Sequence, residues 1–141
     1  MNIATVLLVD DEVPFVEAMT RRLTKRNLTV LTAFNGQESL TSLGTNSSVD
    51  VVILDVKMPG MDGIETLKQI KKLRPLVEVI MLTGHANMEV AIEGMELGAF
   101  DYLMNPMEID EPLYKLQDAF KKKQLHESKI DSVEEELGPK R

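Results

Sequence analysis

The sequence contains no cysteine, no tryptophan and only two histidines among its 141 residues. The absence of cysteine excludes disulfides, thiol catalysis and zinc bound by cysteine, and two histidines argue against a histidine-rich metal site. No apolar run approaches the roughly 20 residues of a membrane-spanning helix. The net charge of −7 argues against direct binding of nucleic acid, because phosphate backbones are bound by basic surfaces.

The remaining composition is that of an ordinary globular protein. Apolar residues make up 43% and charged residues 28% of the chain, and its length suits one domain with a short tail. The first five residues, Met1 to Thr5, carry no basic residue, so we expect no secretory signal and a cytoplasmic location.

Five short apolar runs alternate with segments that have helical spacing. The runs cover residues 6–9, 29–33, 51–54, 77–82 and 100–104. The first, third and fourth runs are almost entirely aliphatic, which is typical of parallel strands buried on both faces. The alternation predicts a doubly wound α/β domain, a five-stranded parallel sheet covered by helices and joined by right-handed crossovers.

The predicted helices have recognisable ends. Asp62 is a candidate N-cap of the third helix, which should stop before Pro75, and Gly98 is a candidate C-cap of the fourth. The second helix, around residues 37–43, is short and poorly defined. The composition changes near Lys121, and we expect the last helix to gain one further turn there. The prediction is therefore a domain over residues 1–122 and a charged tail or linker, frayed at its end, over residues 123–141.

Polar side chains follow the predicted strands. Asp10 and Asp11 come after the first strand and Asp55 after the third, while Thr83 follows the fourth and Asn105 the fifth. The first and third strands should be neighbours, so the three acids should converge. One carboxylate pair at 4 Å costs about 4 kcal/mol at an effective dielectric of 20, so a proton or a cation must relieve it. Oxygen ligands without cysteine favour Mg²⁺; the alternative is that the acids cap a helix and a turn.

Four segments together resemble the receiver domain of a two-component response regulator, over about residues 4–120. They are the acidic pair Asp10-Asp11, the loop from Leu54 to Gly63 (LDVKMPGMDG), the segment Leu82 to Ala86 (LTGHA) and the run Leu97 to Leu103 (LGAFDYL). The resemblance implies a flavodoxin-like (βα)5 fold with strand order 2-1-3-4-5.

The resemblance also implies the chemistry of the acids. Asp55 would be the phosphoacceptor, taking a phosphoryl group from a phosphohistidine. Asp10, Asp11, Asp55 and the backbone carbonyl of Lys57 would hold Mg²⁺. Such transfer depends on positioning and charge neutralisation, which a metal and a carboxylate nucleophile supply. Its donor would be a sensor histidine kinase or a histidine phosphotransfer protein.

Further residues take switch roles by the same resemblance. Thr83 would bind a phosphoryl oxygen, and its movement would let the Tyr102 ring turn inward and repack the surface of the fourth helix, fifth strand and fifth helix. Gly60 and Gly63 would supply permissive backbone around the loop. His85 lies near the site mouth or is a solvated loop residue, and Pro106 is expected to follow a cis peptide bond.

One position departs from the family pattern. The lysine that normally follows the fifth strand is Asn105 here. Asparagine is shorter and neutral, and offers an amide instead of an ammonium. We therefore expect metal binding to persist and phosphorylation, or its coupling to the surface, to be impaired.

Three functions compete at this point. The first is a phosphoacceptor switch that signals to a downstream protein or output domain, without a membrane partner. The second is a receiver-like interaction module whose output is independent of phosphorylation. The third, an enzyme such as an aspartyl-phosphate phosphatase, is disfavoured because the position of its acid/base aspartate holds Lys57, so we predict that the chain is not an enzyme. A flavin-binding function is weaker still, because no phosphate-binding loop follows the first strand.

Overall fold

Five strands and five helices alternate along the chain in the computed structural model, which describes residues 4–57 and 62–137. The strands are β1 (Thr5–Val9), β2 (Thr29–Ala33), β3 (Val51–Asp55), β4 (Glu78–Thr83) and β5 (Asp101–Met104). The helices are α1 (Val13–Thr24), α2 (Gly36–Thr45), α3 (Gly63–Leu73), α4 (Met88–Glu96) and α5 (Asp110–Leu137), and a 3₁₀ turn, His85–Asn87, precedes α4.

The strands form one parallel sheet in the order β2-β1-β3-β4-β5. The doubly wound α/β fold and the strand order are therefore confirmed. In the central strands, alternate residues face opposite helical layers. Leu7 and Val9 belong to the apolar core that includes residues of α2 and α3. Val6 and Leu8 belong to the core that includes residues of α1 and α5. Burial on both faces explains why these strands are aliphatic without a polar alternation.

Two helices begin or end at the capping residues that the sequence predicts. Asp62 accepts a hydrogen bond from the Glu65 N–H at 2.8 Å, so it is the N-cap of α3 as predicted. Gly98 has a φ of 107°, the left-handed conformation that favours glycine after a helix. The second helix is longer than predicted, and Asn35 caps its start by accepting a hydrogen bond from the Glu38 N–H at 2.8 Å.

The last helix differs most from the sequence prediction. α5 continues to Leu137, so residues 124–137 are helical instead of frayed. At the root of this extension, Lys122 pairs with Glu78 at 3.4 Å and Lys123 pairs with Asp50 at 3.0 Å. These ion pairs tie α5 to the starts of β4 and β3. The division into residues 1–122 and 123–141 stays a prediction, and Gly138-Pro139 lies outside the described residues.

No helix within the described ranges is both long enough and apolar enough to cross a membrane.

Candidate metal and phosphoacceptor site

Three carboxylates meet where β1 and β3 end side by side. Val9 lies opposite Leu54 in the sheet, which sets Asp10 and Asp11 beside Asp55. One carboxylate oxygen from each of these acids lies within 4.8 Å of the others. The parallel pairing of two strands thus brings together acids that are more than 40 positions apart in the sequence.

Burial and mutual repulsion raise the pKa values of two of these acids. Asp10 is only 3% exposed, and burial raises its pKa to about 6 even though its Oδ1 accepts a hydrogen bond from the Glu12 N–H at 2.9 Å. Burial likewise raises the pKa of Asp55 to about 7, against the stabilising N–H of Lys57, which donates to Asp55 Oδ1 at 3.1 Å. The charges of Asp10 and Asp11 raise the Asp55 pKa further.

The donor set fits a hard divalent cation. All three ligands are carboxylates, and Asp11 is exposed, so an ion can enter from solvent while keeping several of its waters. Mg²⁺ is bound in this way in proteins, by one or two carboxylates together with waters and phosphate oxygens. A cation would also relieve the repulsion that raises the two pKa values.

Thr83 and Asn105 lie at the same edge of the sheet, at the ends of the next two strands. Thr83 ends β4 and is buried, and its hydroxyl donates to the Gly84 carbonyl at 3.0 Å rather than to a carboxylate. The backbone N–H of Asn105 donates to the Thr83 carbonyl at 2.8 Å. The peptide bond between Asn105 and Pro106 is cis, as predicted, and His85 is exposed at the start of the 3₁₀ turn.

The loop after β3 is described at its two ends. Lys57 is exposed, and its described contact is the N–H that donates to Asp55. Residues 58–61, including Gly60, lie outside the described residues. Gly63 begins α3 where a Cβ atom would lie 2.7 Å from Val56 Cα. The glycine is therefore required by close backbone packing against the residue that follows Asp55.

Tyr102 is partly buried on β5 and packs against the core next to α3 and α4. Lys115 of α5 covers it: the ammonium lies 4.8 Å from the ring centroid and donates a hydrogen bond to the Tyr102 carbonyl. The same ammonium lies 3.4 Å from Asp101. Lys115 thus joins α5 to β5 at the predicted switch residue.

Two neighbours of the site were missed by the sequence reasoning. Glu12 adds a negative charge that raises the pKa of both Asp10 and Asp55, and its position directly after the acidic pair was the available signal. Lys115 gave no such signal, because its contact with Tyr102 arises from the packing of α5 across the sheet.

The fold is a doubly wound α/β domain with a cluster of acids at the carboxyl ends of its strands. The sequence matches the response regulator receiver domain family over residues 6–117. The chain therefore belongs to the response regulator receiver domain family, the receivers of two-component phosphorelay signalling.

Particular relatives agree with this assignment. The chain is 40% identical over 111 residues to the DNA-binding transcriptional regulator NtrC of Salmonella typhimurium, a match that covers 79% of this chain and 24% of that protein. It is 34% identical over 121 residues to the transcriptional regulatory protein ZraR of the same species, covering 86% and 26%. The chain thus spans about a quarter of the length of these relatives.

A solved structure gives the same result at the level of the fold. The response regulator receiver domain protein from Clostridium thermocellum superposes with a TM-score of 0.84 at 37% identity, covering 87% of this chain and 98% of that one.

Proposed function

We propose that Asp55 accepts a phosphoryl group from the phosphohistidine of a sensor histidine kinase or histidine phosphotransfer protein, in a reaction that depends on Mg²⁺. The observation that carries this proposal is the convergence of Asp10, Asp11 and Asp55 within 4.8 Å. Belonging to the receiver family supports it. The chain would act as a substrate and switch, not as an enzyme that turns over a small molecule.

The residues of the site would have separate roles in phosphoryl transfer. Asp10, Asp11, Asp55 and the backbone carbonyl of Lys57 would hold Mg²⁺, which when bound neutralises the charge between the carboxylates and the incoming phosphoryl oxygens. An Asp55 oxygen attacks phosphorus, the phosphorus–nitrogen bond to the donor imidazole breaks, and the imidazole leaves with the bonding pair. The N–H of Lys57, now on Asp55 Oδ1, orients the carboxylate for this attack.

Thr83 and Tyr102 would transmit the effect of phosphorylation from Asp55 to the surface of the domain. The Thr83 hydroxyl is bonded to the neighbouring Gly84 carbonyl, a contact that it can exchange for a phosphoryl oxygen. Lys115 holds the backbone and ring of Tyr102, so movement at Thr83 would alter the packing of β5 against α5. The signalling face would be α4, β5 and α5, where Ile92 is 53% exposed and Leu97 is 40% exposed.

We propose that Asn105 impairs phosphorylation or switching. Its neutral amide supplies no positive charge to the phosphoryl oxygens, whereas the lysine expected at this position would. The loss of that competing cation leaves the acids free to bind Mg²⁺.

The likeness to NtrC and ZraR, described as transcriptional regulators, supports a regulatory role for this domain within a transcriptional output. We propose that the domain itself contacts proteins instead of DNA, since its net charge is −7, and that it acts in the cytoplasm without a membrane partner.

Phosphorylation of Asp55 is tested by mass spectrometry after incubation with Mg²⁺ and acetyl phosphate. The wild-type chain should gain the mass of one phosphoryl group, and Asp55→Asn or an excess of chelator should prevent the gain. Asp118→Asn, a matched change on the exposed side of α5, should leave it intact. An unmodified wild-type chain under saturating donor would contradict the proposal.

The effect of Asn105 is tested with Asn105→Lys in the same assay. We expect a higher yield of phosphorylated protein at equal donor concentration, or a larger change in the NMR shifts of Tyr102 on phosphorylation. Equal yields and equal shifts in both proteins would refute impairment while leaving the role of Asp55 untouched.

Asn105 also favours the alternative function, an interaction module whose output is independent of phosphorylation. Affinity for a downstream partner, measured with and without a bound phosphoryl analogue, separates the two. Equal affinities support the module, and a tenfold gain, about 1.4 kcal/mol, supports the switch.

A further inference from the structure

Tyr102 lies on an edge strand of the sheet. β5 is the last strand in the order β2-β1-β3-β4-β5, and it pairs with β4. On an edge strand, alternate residues direct their N–H and C=O groups away from the neighbouring strand, where no ladder satisfies them. Tyr102 is such a residue, since side chains bind both of its backbone groups.

Asp101 and Lys115 are the residues that close this edge. The Tyr102 N–H donates to Asp101 Oδ1 at 2.7 Å, and the Lys115 ammonium donates to the Tyr102 carbonyl. The ammonium also lies 3.4 Å from the same Asp101 oxygen. Asp101, the Tyr102 backbone and Lys115 therefore form a closed ring of polar contacts, which we call the edge clip.

The edge clip also contacts the side chain of Tyr102. The Lys115 ammonium lies 4.8 Å from the centroid of the Tyr102 ring, a distance at which the face of the ring attracts a cation. Tyr102 packs against the core that includes α3, whereas α5 contributes Leu116 and Ala119 to the core on the opposite side of the sheet. Lys115 thus extends around the edge of the sheet from one layer to the other.

The charges of the edge clip are partly shielded from solvent. The side chains of Lys115 and Asp101 are 25% and 32% exposed, so salt screens their attraction less than that of a fully exposed pair. An ammonium has three N–H donors, and the Tyr102 carbonyl, the Asp101 carboxylate and the ring face are three partners for them. A movement of Tyr102 therefore disrupts several contacts of one ammonium together.

Tyr102 lies between the edge clip and the candidate phosphoacceptor site. In the sheet it is opposite Met81, two residues before Thr83 on β4, and Met104 is opposite Thr83. A displacement of Thr83 reaches Tyr102 along this single pair of strands. Because the Tyr102 ring contacts Lys115, the free-energy cost of moving the ring away from its position in this structure depends on Lys115.

We propose that the edge clip holds Tyr102 in the position seen in this structure, and that Lys115 is a positioning residue that sets how readily the domain switches. This inference rests on the proposed function in taking Tyr102 as the residue that transmits phosphorylation. The described contacts of Lys115 are with Asp101 and Tyr102, so Lys115 acts through Tyr102 and not on the phosphoryl group.

NMR relaxation dispersion tests the edge clip in the full chain without a phosphoryl donor, by measuring how much of the Tyr102 ring occupies a minor rotamer. Lys115→Met removes the ammonium and keeps an unbranched apolar side chain. The minor population should rise roughly fivefold to tenfold, since a cation–π contact and a charge-assisted hydrogen bond are lost. Lys115→Arg, whose guanidinium both donates and stacks on a ring, should stay within about twofold of the wild type.

Lys121→Met is the matched control, because Lys121 is exposed on the same helix, and it should leave the Tyr102 rotamers unchanged. Asp101→Asn keeps an acceptor for the Tyr102 N–H but removes the charge that faces Lys115, so its effect should be intermediate. Thermal unfolding is measured for every variant. A Lys115→Met protein that is less stable but keeps the wild-type rotamers would show a purely structural role and refute the proposal. Should Lys115→Met not fold, Asp101→Asn decides by the same criterion.

Phosphorylation of Asp55 gives a second measurement. If the edge clip opposes the switched position of Tyr102, linkage requires that its removal favour the phosphorylated form. Lys115→Met should therefore reach a higher yield of phosphorylated Asp55 than the wild type at equal concentrations of Mg²⁺ and acetyl phosphate, measured by mass spectrometry. A yield equal to or below that of the wild type would overturn the proposal. A wild type that gains no phosphoryl group would contradict the proposed function alone, and the rotamer comparison, which needs no donor, would still decide the role of Lys115.

Discussion

Burial in the folded chain disfavours the charged forms of Asp10 and Asp55. Their pKa values rise from 3.8 to about 6 and about 7, so between these values the folded state binds protons that the unfolded state has released. The contribution of both groups to stability is therefore most favourable below pH 3.8, and it is lost as the pH rises toward 7. The clustering of buried acids that suits a cation therefore lowers the stability of the metal-free fold near neutral pH.

Asp55→Asn should therefore stabilise the metal-free protein at pH 8 and change it little at pH 4. The rise in the Asp55 pKa from 3.8 to about 7 corresponds to about 4 kcal/mol at 1.36 kcal/mol per pKa unit, and solvent screening of this half-buried carboxyl reduces the expected gain to about 2 kcal/mol. Urea unfolding in chelator at the two pH values measures the difference from the wild type. Asp118→Asn, at an exposed position, serves as the control and should have the same small effect at both. A destabilised Asp55→Asn protein at pH 8 would contradict the electrostatic account.

At the scale of the elements, close backbone packing constrains the start of α3 against the residue that follows β3. A Cβ atom on Gly63 would lie 2.7 Å from Val56 Cα and 3.0 Å from the Val56 carbonyl oxygen. Because both are backbone atoms, a larger side chain must displace α3 or the residue next to Asp55.

Gly63→Ala should accordingly destabilise the protein by about 1–3 kcal/mol, the usual cost of overpacking, and weaken Mg²⁺ binding. Gly44→Ala is a matched control with the opposite sign. It lies in α2 with no atom within 4 Å of its added Cβ, so it should stabilise by up to about 1 kcal/mol. Thermal unfolding measures the first effect, and a Mg²⁺ titration measures the second. Equal stability of Gly63→Ala and the wild type would show that the junction can relax.

The sequence predicted the strands and the acidic edge well, and the ends of the helices less well. Aliphatic runs on β1, β3 and β4 are unambiguous, and acids that follow parallel strands must share an edge, so Asp10, Asp11 and Asp55 could be grouped in advance. The extension of α5 was missed because its composition is charged. The spacing of Ile130, Val133 and Leu137 was the available signal in the sequence. The pairing of Lys123 with Asp50, which also anchors the extension, exists only in three dimensions.

At the scale of the whole molecule, the two ends of the parallel strands have different roles. The carboxyl ends of the strands carry the acids, whereas the starts of β3 and β4 anchor the extension of α5 through Asp50 and Glu78. Burial lowers the pKa of Lys123, but its hydrogen bonds and ion pairs with Asp50 and Glu127 outweigh that effect and raise it. The pair therefore stabilises the fold until the pH rises through the raised pKa of Lys123.

Lys123→Met should cost about 1 kcal/mol at pH 7, the typical range for a partly exposed ion pair, and the cost should shrink at high salt. A double-mutant cycle with Asp50→Asn, which keeps an acceptor for the Thr5 N–H now bonded to Asp50, isolates the coupling between the two residues. Lys121→Met controls for the loss of an exposed lysine. A coupling energy of zero would indicate that the anchor is not electrostatic.

Because α5 runs without interruption from Asp110 to Leu137, it fixes the direction in which Leu137 points relative to the domain. Each residue turns the helix by about 100°, so removing a single residue between 124 and 129 would swing Leu137 by more than a quarter turn around the axis, whereas inserting seven would nearly restore its bearing. The bearing of Leu137 relative to the domain is therefore kept only by length changes that come close to whole turns, such as seven or eleven residues.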